Sequence, residues 1–184
     1  MTVTLTHQQM LQTWRRCAGL EPSVTGCTIE RFDGVDIDRR LSEMMRQWYL
    51  ALLDSGDPSM AGEAADAGSL VTAVAEDDGC TARLRCDASV RRLCSVRLTG
   101  WQREAAVVDE GDAARRLELQ ANRFSRAGNA EPLVWRDSGG HFHASPASEG
   151  SAVVAARGYI DTGPDSYRVD ERALATIPTE ISLL

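Results

Sequence analysis

Thr81-Ala82-Arg83-Leu84-Arg85-Cys86 alternates strictly, with Ala82, Leu84 and Cys86 falling on one side and Arg83 and Arg85 on the other. A period of two is the period of a β-strand, whose successive side chains point to opposite faces. One apolar and one charged face is the pattern of a half-buried antiparallel sheet. Working outward, residues 70–75 and 90–98 read as further strands. Residues 133–136, 141–144 and 152–160 add three more, the first two joined by the turn Asp137-Ser138-Gly139-Gly140. Between these groups, residues 109–126 switch to helical spacing, with Ala113, Leu117 and Phe124 on one side and Gly128-Asn129 as the stop signal.

The N-terminal third is helical. Thr6 is placed to cap a short helix over residues 7–17 that carries Met10, Leu11 and Trp14 at helical spacing, ending before Pro22 and Gly26. A longer helix over 36–53 gathers Ile37, Leu41, Met44, Met45, Trp48 and Leu52 on one stripe, and Asp54-Ser55-Gly56-Asp57-Pro58 stops it. So wide a stripe is expected to pack across the sheet with Trp48, its largest member, as anchor, leaving Arg39 and Arg40 for a partner. Asp170 is placed to cap a last short helix before Pro178. The fold class is therefore α+β: N-terminal helices followed by a mainly antiparallel sheet interrupted by one helix. The expected organisation is a single domain over 1–184, with a helical part at 1–56 and a sheet-rich part at 69–184.

Composition narrows the function. Every one of the 20 basic residues is arginine. A phosphate-binding loop that relies on a lysine, and Schiff-base chemistry, are both excluded. The net charge of −7 argues against general nucleic-acid binding, because phosphate affinity comes from clustered cations. The charge is unevenly spread: residues 54–79 hold seven acids and no arginine, whereas 83–126 hold ten arginines against six acids. An acidic patch on one copy meeting a basic patch on another would give a ring contact. Arg91, Arg92, Arg115 and Arg116 are the candidate partner interface. Cys17, Cys27, Cys80, Cys86 and Cys94 form an odd set without a Cys-x-x-Cys pair, which suggests neither a disulfide framework nor a zinc knuckle. No apolar run approaches the ~18 residues of a membrane span, so the bacterial cytoplasm, or a virion after assembly, is the expected location.

Few residues suggest chemistry. His141 and His143 flank Phe142 on a strand, which points both imidazoles to one face as a metal site requires, but no third ligand and no Asp or Glu at a partnering offset is apparent. Asp33, Asp36 and Asp38 do not fit a calcium loop, since the glycine is misplaced and no glutamate closes it; acids at a helix start meet the free amides and positive dipole end there. There is no Gly-x-Ser-x-Gly elbow, and Cys86 and Cys94 sit in apolar strand contexts. Neither enzymatic activity nor a cofactor is expected.

The run Leu84-Arg85-Cys86-Asp87-Ala88-Ser89-Val90-Arg91-Arg92-Leu93-Cys94-Ser95-Val96, followed by Trp101, then Gly128-Asn129-Ala130-Glu131-Pro132-Leu133 and His143-Ala144-Ser145-Pro146, carries a resemblance in order and spacing. It resembles the tail accessory and head-tail connector proteins of tailed bacteriophages and prophages, small adaptors that form rings beneath the portal. The closing strand over 153–159 and helix over 170–177 fit the same order. Two features depart from it: Arg85-Cys86 stands where the family has Leu-Pro before the Asp, and residues 54–68 have no counterpart. The resemblance implies a non-enzymatic structural subunit whose partners are a portal or other phage structural proteins and further copies of itself, with no small-molecule substrate and no membrane. The alternatives are a small metal-binding or hydrolytic protein centred on His141 and His143, and an arginine-rich protein-binding module.

Overall fold

A computed structural model describes residues 1–20, 37–120, 122 and 125–179. The expectations for Pro22, Gly26, Cys27, Asp33, Asp36 and Phe124 lie outside the described residues. The chain sorts into two compact units, Met1–Glu63 with Asp161–Leu184, and Ala64–Ile160.

The first unit pairs the two ends of the chain. Strand β1 (Thr2–Thr6) runs antiparallel to β10 (Ser166–Asp170), with Thr2 opposite Asp170 and Thr6 opposite Ser166. Thr6 then caps α1 (His7–Cys17) through a capping box in which Thr6 Oγ1 accepts from the Gln9 N–H and the Gln9 side chain accepts from the Thr6 N–H. Helix α2 (Ile37–Ser55) buries Leu41, Met45, Tyr49 and Leu53. These residues recur every four positions, so the buried stripe is turned by one residue from the expected one. Tyr49 is the anchor, fully buried, edge-on to Tyr167 with ring centroids 5.0 Å apart, its hydroxyl accepting from the Arg168 N–H at 3.3 Å. Trp48 is only half-buried and sits edge-on to Trp14. Asp170 caps α4 (Glu171–Leu174), as its position predicted.

The second unit is an eight-stranded sheet in the order β2-β9-β5-β6-β7-β8-β4-β3. Its strands are β2 (Ala65–Asp66), β3 (Val71–Ala75), β4 (Ala82–Cys86), β5 (Val90–Leu98), β6 (Ala105–Asp109), β7 (Leu133–Arg136), β8 (Phe142–Ser145) and β9 (Val153–Ile160). Every neighbouring pair is antiparallel except β6 and β7. That exception explains the helix interrupting the strands: parallel neighbours need a crossover, and α3 (Glu110–Gln120) supplies it. β2 and β3 stand at opposite ends of the order, yet only the 3-10 turn Gly68–Leu70 separates them, so the sheet curls. Its inner face holds Val71, Ala82, Leu84, Leu93, Val96, Leu98, Val134 and Ala156. Trp101 closes this core, its indole N–H donating to the Pro146 carbonyl at 2.7 Å. The architecture is α+β with a mainly antiparallel sheet, and no helix among the described residues is long and apolar enough to cross a membrane.

Candidate functional site

The outer face of the β3-β4-β8-β7 region carries a group of polar side chains gathered on one histidine. Ladder partners across it are Val74, Arg83, His143 and Trp135, one from each strand. His143 is the centre. Its Nδ1 lies 3.2 Å from Glu76 Oε1 and its Nε2 lies 3.1 Å from Asp137 Oδ2, while its ring stacks on Trp135 with centroids 5.2 Å apart and planes 17° apart. His141 Nδ1 reaches the same Asp137 oxygen at 3.2 Å, and the His141 backbone N–H donates to Asp137 Oδ1 at 2.8 Å. The His141 backbone bond, then the His143 ring, hold the Asp137 carboxyl well below the usual carboxylate range.

The chemistry of this group is that of a clamp. A neutral imidazole has one N–H and serves one carboxylate; only the imidazolium donates to both Glu76 and Asp137. Among the described residues His143 bonds to carboxylates and to no hydroxyl or thiol. The clamp instead joins the strand-end of β3 to the β7-β8 turn. Sequence reading found no acidic partner for the histidines, and the structure corrects this. Asp137, taken only as a turn residue, sits four residues before His141 and bonds both rings, and Glu76 arrives from a strand more than sixty residues upstream. The i to i+4 spacing of Asp137 and His141 across a tight turn was the local signal. Among the described residues no three His, Cys, Asp or Glu side chains are disposed to hold a metal ion.

Beside the clamp, Arg83 and Arg85 line a hollow of about 370 Å³ with Val74, Ala75, Glu76 and Asp77. Both guanidiniums are exposed and have no hydrogen-bond or ion-pair partner among the described residues.

The first unit holds a hydroxyl-imidazole-carbonyl chain: Ser42 Oγ lies 3.3 Å from His7 Nε2, and His7 Nδ1 lies 3.3 Å from the Pro164 carbonyl oxygen. It lines a hollow of about 420 Å³ with Arg39 and Arg46. Ser42 lies inside the helical run of α2, where backbone N–H groups are spent on the helix, and Arg46 is engaged by Asp161 and the Gly163 carbonyl. Among the described residues the amides around Ser42 therefore offer no oxyanion pocket.

The four arginines expected at an interface lie on two elements. Arg91 and Arg92 are on β5, where the Arg92 guanidinium covers the Tyr159 ring at 4.5 Å. Arg115 and Arg116 are exposed on α3, with Arg116 reaching the Pro132 carbonyl at 3.4 Å. Cys86 and Cys94 are half-buried, and burial pushes both thiols up, away from reactive thiolate. The chain matches no protein-family model, no curated protein and no solved structure.

Proposed function

We propose that this protein is a non-enzymatic assembly subunit, a head-tail connector of a tailed bacteriophage or prophage that docks beneath a portal ring. The reading is carried by the order of the quoted segments. The Asp87 to Val96 run leads into β5, with Trp101 after it. Gly128 to Pro132 leads into the β7-β8 hairpin with Pro146 at its end, and β9 and α4 close the chain. Two surface features support it. Among the described residues Arg83 and Arg85 stand exposed without a partner and the sheet ends in an unpaired strand, so the second unit offers both charge and backbone to a partner.

The test is to mix the purified protein with a portal ring and follow size-exclusion elution and electron microscopy. Co-elution and added density beneath the ring are expected. A stable species with no affinity for any portal ring overturns the reading. The metal-dependent alternative keeps only the convergence of His141 and His143 on Asp137 Oδ2, since among the described residues no three such side chains are disposed to hold a metal ion. Stoichiometric zinc, manganese or nickel in protein purified without chelators would favour it.

A further inference from the structure

Among the described residues β3 ends the sheet with one side unpaired, and its sequence suits pairing with itself. We propose that β3 is the contact of an isologous homodimer, in which β3 of a second copy adds antiparallel across a two-fold axis at Val74.

The hydrogen-bond parity of β3 fixes the register. The Asp87 N–H donates to the Leu70 carbonyl at 2.8 Å and the Glu76 N–H donates to the Thr81 carbonyl at 2.8 Å. Bonded pairs alternate along an antiparallel ladder, so Thr72 and Val74 also exchange bonds with β4. The N–H and C=O groups of Ala73 and Ala75 therefore point away from the sheet. A second antiparallel β3 satisfies them when Ala73 faces Ala75 of the second copy and Ala75 faces its Ala73. That register sets Val74 against Val74 at the axis and Thr72 against Glu76 of the second copy.

The side chains on the outer face fit this register. Val74 is 41% exposed, so a second copy's Val74 can reach it at the axis. Arg85 is the β4 partner of Thr72, exposed and without a partner among the described residues. Adjacent strands lie about 4.8 Å apart, so the second copy's Glu76 falls roughly two strand spacings from Arg85. Glu76 spends Oε1 on His143, and its Oε2, without a partner among the described residues, is the oxygen an extended Arg85 would meet across the small Thr72. The two-fold axis makes the ion pair twice. A pair of short edge strands buries little area, which makes the dimer weak and concentration-dependent. An isologous pair closes on itself and cannot propagate a ring, so this contact goes beyond the connector reading and is tested separately from it.

Sedimentation equilibrium of the purified chain from about 10 μM to about 1 mM is expected to show the average mass rising from one chain toward two. Ala73→Pro removes an outward N–H without touching the ladder to β4 and should abolish the rise while leaving the dilute melting curve unchanged. Val74→Lys, at an exposed position, should do the same. Arg85→Glu should weaken association about 10-fold, and Glu76→Gln, which removes the charge but keeps an acceptor oxygen for His143, should weaken it in the same direction. A monomer throughout the range overturns the proposal and leaves the edge for a strand of another protein. It is equally overturned if association survives Ala73→Pro or is unchanged by Arg85→Glu.

Discussion

Asp137 Oδ2 lies 3.1 Å from His143 Nε2, and that contact ties the β7-β8 turn to a histidine that also meets Glu76. Because the folded state depresses the Asp137 pKa, its contribution to stability is complete above the ordinary aspartate value near ~3.9. It is lost as pH falls below that value toward the lower folded one. Asp78, lowered to about 2 by the Thr81 hydroxyl and the Cys80 and Thr81 amides against the opposing effect of burial, adds to the same acid window. Asp137→Asn should therefore flatten the dependence of melting temperature on pH below about pH 5, with wild type and variant converging at the acid end. Circular-dichroism melts across that range check this, and parallel curves at all pH values would refute the clamp.

The two aromatic neighbours on α2 should respond differently to truncation. Tyr49→Ala removes a fully buried ring and leaves the Arg168 N–H without its acceptor, so it should cost about 3 to 5 kcal/mol. Trp48→Ala removes a half-exposed ring and should cost about 1 to 2 kcal/mol. Urea melts of both variants give the ranking, and a larger loss at Trp48 would overturn it.

That ranking shows where sequence reasoning stopped. The existence of α2 was legible from its apolar spacing, but Ile37, Leu41, Met44, Met45, Trp48, Tyr49, Leu52 and Leu53 define two overlapping stripes, and side-chain size chose the wrong centre. The packing partner, Tyr167 on β10, decides between them, and no local pattern reveals it. The strands with clean alternation or a tight turn were legible, β4 and the β7-β8 hairpin above all. β1 and β10 were not read, because each is stabilised by a partner about 164 residues away in sequence. β6 has no counterpart in the sequence reading, where helical spacing begins only at Asp109, the last residue of that strand. The clamp was half legible: the two histidines stood out, while Glu76 becomes their neighbour only once β3 and β8 flank β4.

Thr6 ends β1 and caps α1, so its hydroxyl acts at the junction of two elements. Thr6→Ala should lower stability by about 1 kcal/mol, and Thr6→Ser, which keeps the acceptor oxygen, should lower it by less than half of that. Thermal melts of the two variants distinguish loss of the cap from loss of the β-branched side chain in the strand.

Gly158 and Gly111 should respond to alanine with opposite signs. Gly158 lies in β9 between Leu93 of β5 and Ala65 of β2, and a Cβ there would stand 2.8 Å from the Arg92 carbonyl oxygen. The obstacle is backbone rather than a rotatable side chain. β5 is irregular at this point, with register shifts between Val90 and Arg92 and between Leu93 and Ser95, and one of the displaced carbonyls is the one that meets Gly158. Gly158 does not have a positive φ, so contact alone sets the outcome. Gly158→Ala gains about 0.5 to 1 kcal/mol from reduced chain entropy but forces the two strands apart at a cost of about 1 to 3 kcal/mol. Net destabilisation is expected. Gly111, in the first turn of α3, has open space where a Cβ would stand and no positive φ, so Gly111→Ala should stabilise by about 0.5 kcal/mol. Melts of the two variants under identical conditions test the pair: a stabilised Gly158→Ala would show that Arg92 does not pack over β9 as described.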